Sequence, residues 1–105
     1  MIIYGLKNCD TCRKALKSLD GATLHDVRAD GFPGDLLDRA ATEFGSDLLN
    51  TRSTTWRGLD NQERAGDMAT LLRKYPALMK RPLIEADNRL YLGWTEATRQ
   101  ALGLG

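Results

Sequence analysis

The chain predicts an α/β fold, and three observations predict it. A strand–helix–strand unit opens the sequence, a helical stretch fills its middle, and a hairpin followed by a last helix closes it. A strand, helix, strand unit of this length implies a parallel pair, because parallel neighbours need a crossover of this kind.

The first strand is expected over Met1 to Tyr4, running into the loop Gly5-Leu6-Lys7-Asn8. Apolar Cys12, Ala15, Leu16 and Leu19 then recur at i, i+3, i+4 and i+7, the period of one helix face, so Cys9 is expected just ahead of a helix and facing solvent. Gly21 leads to a second short strand, Thr23 to Val27, which the loop Ala29-Asp30-Gly31-Phe32-Pro33-Gly34 breaks. Asp35 opens a helix carrying Leu36, Leu37, Ala40, Ala41 and Phe44 on one side, with Gly45 as its stop. A weak pattern marks a short helix around Asn61 to Ala65. A stronger one, Asp67 to Tyr75, presents Met68, Leu71, Leu72 and Tyr75 before Pro76 ends it. Leu83 to Ala86 and Arg89 to Leu92, divided by Asp87-Asn88, read as a hairpin, and a helix from Thr95 runs to Gly103. There are no repeats or low-complexity tracts, and the 105 residues read as a single domain, 1–105.

With 42% hydrophobic and 28% charged residues, the composition is that of an ordinary globular domain. A net charge of +1 gives no reason to expect nucleic acid as a partner. No long apolar run or signal-like start is present, so no membrane partner is expected and a cytoplasmic location is the default. In that compartment a cysteine pair rests mostly reduced.

Cys9-Asp10-Thr11-Cys12 holds the only two cysteines of the chain, placed where a strand gives way to a helix. Such a pair can trade electrons as dithiol and disulfide. The first helical turn leaves N–H groups unpaired and carries roughly half a positive charge, which stabilises a thiolate more than a thiol. Lys7, Arg13 and Lys14 push Cys9 the same way; Asp10 opposes them and is a candidate helix cap, so a pKa below the free value of about 8.5 is expected. Two plainer readings compete. A zinc site needs more ligands than one histidine, His25, and two cysteines supply, so no metal is expected. A purely structural disulfide closing so small a loop removes little chain entropy.

Three segments then carry a resemblance: Tyr4-Gly5-Leu6-Lys7-Asn8-Cys9-Asp10-Thr11-Cys12-Arg13-Lys14-Ala15, Leu49-Asn50-Thr51-Arg52-Ser53-Thr54-Thr55-Trp56-Arg57 and Lys80-Arg81-Pro82-Leu83-Ile84. Together, and in this order, they resemble the ArsC/Spx/YffB-like family, the glutaredoxin-related arsenate reductases and their relatives. The resemblance implies a thioredoxin-like fold, a four-stranded mixed sheet flanked by helices, with a helical insertion over roughly residues 34–76. It implies Cys9 as nucleophile, Arg81 as a catalytic and anion-holding residue, and Arg52, Asn8, Thr11 and Pro82 as further substrate-binding positions. A guanidinium suits such a role because it is always charged and forks onto carboxylate, phosphate or arsenate. For Arg52 a solvated surface charge remains an equal alternative. The resemblance also implies a cis bond at Arg81-Pro82; from the residues alone Pro82 reads as a trans-proline starting a strand.

Two departures select a branch. The hairpin segment Leu90-Tyr91-Leu92-Gly93-Trp94 lacks the third arginine of the arsenate reductases, and Cys12 stands where those typically have serine, supplying a resolving thiol. With no longer tail, the chain looks most like the small YffB-like branch. The expected function is a glutathione-dependent thiol–disulfide oxidoreductase with no bound cofactor, glutathione as co-substrate, a glutathionylated or disulfide substrate, and a glutaredoxin as a candidate partner. The alternatives are glutaredoxin-coupled arsenate reduction and an Spx-like, redox-switched regulator of RNA polymerase. Trp56 and Trp94 stand between lining a substrate groove and core packing. His25 follows a strand and is not expected to be a base, and Asp26, Asp38 and Glu43 read as solvated faces.

Overall fold

The structure, a computed structural model, describes residues 1–104. In chain order the elements are β1 (Ile2–Gly5), α1 (Asp10–Ser18), β2 (Thr23–Asp26), α2 (Val27–Asp30), α3 (Leu36–Phe44), α4 (Thr54–Arg57), α5 (Asn61–Arg64), α6 (Met68–Lys74), β3 (Leu83–Ala86), β4 (Arg89–Leu92) and α7 (Glu96–Ala101). Short 3-10 turns at Gly45–Leu48 and Pro76–Leu78 follow α3 and α6. The chain divides into two compact units, one of Met1–Val27 with Arg81–Gly105 and one of Arg28–Lys80.

The first unit is a four-stranded mixed sheet in the order β2-β1-β3-β4, with β1 parallel to β2 and antiparallel to β3. This is the thioredoxin-like arrangement. Its register explains its core. Ile3 lies opposite Leu24 and Ile84, and Ile84 opposite Tyr91, so four apolar residues form one row across one face. Ala15 of α1 and Leu19, the residue that caps its C-terminus, join Ile3 and Ile84 in a buried cluster, with Trp94 packed against it. The opposite face carries His25, Tyr4, Leu83 and Leu92 in the next row. There the Tyr4 ring meets the His25 ring at 5.3 Å and its hydroxyl donates to Glu85 Oε1 at 3.4 Å. The β3–β4 turn places Asp87 and Asn88 at φ 52° and 64°, the left-handed pair that a two-residue hairpin requires.

The second unit is helical. Leu36, Leu37 and Ala40 of α3 and Leu71 and Leu72 of α6 are buried, and the two helices pack on each other. A single bridge pairs Leu49 with Met79; beside it Asn50 N–H donates to Leu78 O at 2.7 Å and Lys80 N–H to Leu48 O at 2.8 Å.

Several boundaries differ from expectation. β1 extends to Gly5, and β2 stops at Asp26 because Val27 turns into the one-turn helix α2. The helix α4 was not legible as a period; Ser53, whose Oγ accepts the Trp56 N–H at 3.1 Å, starts it. Trp94 takes the core reading, half-buried against the Ile3 cluster.

Candidate active site

The turn after β1 delivers Cys9 to the N-cap of α1. Its N–H donates to Leu6 O at 3.1 Å and its carbonyl accepts the Arg13 N–H at 3.0 Å, while its backbone is extended. Cys9 is half-buried rather than fully solvent-facing. It makes no capping hydrogen bond through its thiol, so the N–H groups of the first turn remain available to it when it ionises. Asp10 is not the cap: it is the first helical residue and pairs with Arg13 at 3.8 Å, an exposed contact of little energetic weight.

Cys12 lies one turn further on with its side chain fully buried. Its sulfur rests against the backbone of Gly5, where a Cβ would collide with it. Both cysteines are free thiols. Arg81, half-buried, precedes Pro82 through a cis peptide bond.

Electrostatics separates the two sulfurs. Partial burial alone would raise the Cys9 pKa, but the Cys12 N–H, the Cys12 thiol, the Arg81 charge and the Thr11 N–H together outweigh it, and Cys9 titrates below the ordinary thiol value. Cys12 is pushed up to about 12, first by burial and then by its hydrogen bond to Cys9 and the charge there; the Leu6 N–H and Arg81 oppose that shift without reversing it. The cation that weighs most on Cys9 is therefore Arg81, far away in sequence. Arg13 instead donates through Nε to the Lys7 carbonyl at 2.9 Å.

The remaining expected site residues divide by unit. Asn8 is exposed in the loop and Thr11 half-buried in the first turn of α1. Arg52 belongs to the second unit, exposed in the turn where its N–H donates to Asn50 Oδ1 at 3.2 Å. It lines a cleft of about 330 Å³ with Leu49, Asn50, Thr51 and Lys80. Trp56, half-buried, lies under the Arg64 guanidinium at 5.4 Å. Among the described residues, no group of three or more His, Cys, Asp or Glu could hold a metal ion.

Two further residues belong with the site, and neither stands out in the sequence. Gly5 provides the seat for the Cys12 sulfur, and a glycine seven positions before a cysteine is the only trace of this in the sequence. Asp26, expected on a solvated face, is buried and accepts the Lys7 N–H at 3.0 Å. Nothing in the spacing of a strand-end acid announces that contact.

A thioredoxin-like sheet that sets one activated thiol at a helix start and a second, protonated thiol one turn inside defines a class of thiol-redox domain. The chain belongs to the ArsC family, a model of which matches residues 4–102. An uncharacterized protein of Haemophilus influenzae is 45% identical over 108 residues, covering 94% of this chain and 95% of the relative. The solved YFFB protein superimposes with a TM-score of 0.84 at 34% identity over 96% of each chain. The global transcriptional regulator Spx 1 of Oceanobacillus iheyensis is 31% identical over 104 residues, 90% of this chain and 79% of the relative. No described helix is long and apolar enough to cross a membrane.

Proposed function

We propose that the protein is a single-domain, cytoplasmic, glutathione-dependent thiol–disulfide oxidoreductase. One observation carries this reading: two thiols one helical turn apart have opposite ionisation, Cys9 below the ordinary thiol value and Cys12 up at about 12. The Cys9 thiolate attacks the glutathione-side sulfur of a glutathionylated substrate, forming a Cys9–glutathione disulfide and expelling the substrate thiolate, which takes a proton from solvent. That step leaves burial, the largest cause of the raised Cys12 pKa, in place but removes the negative charge and the hydrogen-bond acceptor at Cys9 that add to it. Cys12 is then easier to deprotonate, and its thiolate attacks the Cys9 sulfur and releases glutathione as a thiolate. Two further glutathione thiols, or a dithiol reductase such as a glutaredoxin, supply the two electrons that reopen the Cys9–Cys12 disulfide. No bound cofactor is needed. Within the first unit Arg81 holds a glutathione carboxylate, with Asn8, Thr11 and Pro82 completing the substrate contacts; Arg52, in the second unit, is an anion-holding residue in its own right.

The test is adduct formation with oxidised glutathione, read by mass. Cys12→Ser accumulates a Cys9–glutathione adduct, because the resolving thiol is gone, and Cys9→Ser forms none. Absence of adduct on the wild type and on Cys12→Ser sinks the reading. Efficient arsenate reduction, unaffected by Cys12→Ser, would instead favour arsenate chemistry despite the hairpin's lack of a third arginine.

A second reading is favoured by the kinship with Spx regulators. In it the Cys9–Cys12 disulfide is a switch that alters docking on RNA polymerase, and no turnover occurs. Tight polymerase binding by one redox form, with no response to glutathione, is the result that selects it.

A further inference from the structure

Asp26 closes β2 and is only 9% exposed. A carboxylate so placed is costly unless donors meet its oxygens. One of these donors is unusual in its origin. The parallel ladder between β1 and β2 ends with Gly5 opposite Asp26, and past that point Lys7 has no strand partner. Asp26 Oδ2 takes over, accepting the Lys7 N–H at 3.0 Å, so a side chain extends the pairing beyond the sheet.

Lys7 is also held from its other end, since its carbonyl accepts Arg13 Nε–H at 2.9 Å. The residue gripped in this way sits inside the turn that presents both sulfurs. Leu6 O receives the Cys9 N–H at 3.1 Å, and the Leu6 N–H acts on the Cys12 sulfur. A shift at Lys7 therefore reaches Leu6 on one side and Cys9 on the other.

We propose that Asp26 is a positioning residue for the cysteine loop: its buried carboxylate, by holding the Lys7 N–H, fixes the turn Leu6–Cys9 and so the height of the Cys9 sulfur over the first turn of α1. What Asp26 supplies is a hydrogen-bond acceptor in a fixed place. The inference rests on the proposed role of Cys9 as the reacting thiol. It adds that the end of β2, and not only the cysteine loop itself, sets that thiol's readiness.

The test uses the full chain with Asp26→Ala and Asp26→Asn, and reads the pH profile of Cys9 alkylation by iodoacetamide, assigned by peptide mass. Asp26→Ala loses the acceptor, the sulfur drifts from the helix N–H groups, and alkylation on the acid side of the Cys9 titration, well below its midpoint, falls about threefold to tenfold, the thiolate loss expected for a pKa rise of about 0.5 to 1. Asp26→Asn offers an amide oxygen to the same N–H and stays within about twofold of wild type. Wild-type alkylation by Asp26→Ala overturns the proposal. So does an Asp26→Asn variant that reacts several times faster than wild type, because the charge and not the grip would then be what matters. Should Asp26→Ala fail to fold, amide exchange decides: the Lys7 N–H is protected in the wild type and in Asp26→Asn, and free exchange of Lys7 in the folded wild type rules the clamp out. Alkylation needs no glutathione. A Cys9 that takes up no glutathione yet shows this contrast would overturn the enzyme reading and support the clamp.

Discussion

Cys9 occupies a place that an oxygen holds at four other helix starts. Ser53, Asp60, Asp67 and Thr95 each accept the N–H three residues on, from Trp56, Glu63, Thr70 and Thr98. At α1 the same groups are left for a sulfur, which caps poorly as a thiol and well as a thiolate. Cys9→Ser is therefore expected to stabilise the protein by about 1 kcal/mol while abolishing glutathione adduct formation, a trade that thermal melting and mass analysis check together. Arg81→Ala should act on reactivity. The guanidinium favours the charged form of Cys9, so its loss moves the pKa up, and the thiolate fraction and the alkylation rate fall, roughly tenfold at a pH well below the wild-type value if the pKa rises by about 1. An unchanged alkylation profile would remove Arg81 from the account. Gly5→Ala forces the Cys12 sulfur from its seat and is expected to cost about 1–3 kcal/mol, with slower closure of the Cys9–Cys12 disulfide.

At the scale of elements, the hairpin and the central strand carry the clearest consequences. Asp87 and Asn88 both adopt left-handed φ, and Asn tolerates that conformation better than most residues but less well than glycine. Asn88→Gly should raise the melting temperature and Asn88→Val lower it; the reverse order in thermal scans would show that the turn is not what limits the hairpin. Ile3 is fully buried in the row that joins all four strands, and Ile3→Ala is expected to cost about 2–5 kcal/mol by denaturant unfolding. Against a total stability of about 5–15 kcal/mol that is a large share, because one truncated side chain loosens β1 on both its neighbours.

The whole molecule feels the two thiols as opposite pH dependences. Cys12 has a folded pKa of about 12, above the value of about 8.5 in the unfolded chain. Its contribution is fully present below about pH 8.5 and is lost as pH rises toward 12, since there the unfolded chain has released a proton that the native state still holds. Cys9 runs the other way. Its folded pKa is lowered, so its contribution is present above about pH 8.5 and lost as pH falls through the folded value. Urea unfolding at pH 7 and pH 10 should therefore show a smaller loss of stability for Cys12→Ser than for the wild type. Equal losses would mean that burial is not what holds the Cys12 proton.

What the sequence determined alone is local or periodic. The apolar recurrence of α1, α3 and α6 and the division of β3 from β4 at Asp87-Asn88 follow from short-range rules, because the side chains that define them are neighbours along one face or one turn. The short helix near Asn61 left only a weak pattern in the sequence, and it is the Asp60 side chain, accepting the Glu63 N–H, that starts it in the structure. The position of Cys9 ahead of a helix belongs to the same class. Tertiary structure decided the rest. Arg81 reaches the two sulfurs only because β3 pairs with β1, Gly5 meets Cys12 only when α1 packs back on the sheet, and Asp26 finds Lys7 only where the β1–β2 ladder runs out. These contacts join residues that no period or spacing links, and the burial that shifts the thiol pKa values in opposite directions exists only in the folded chain.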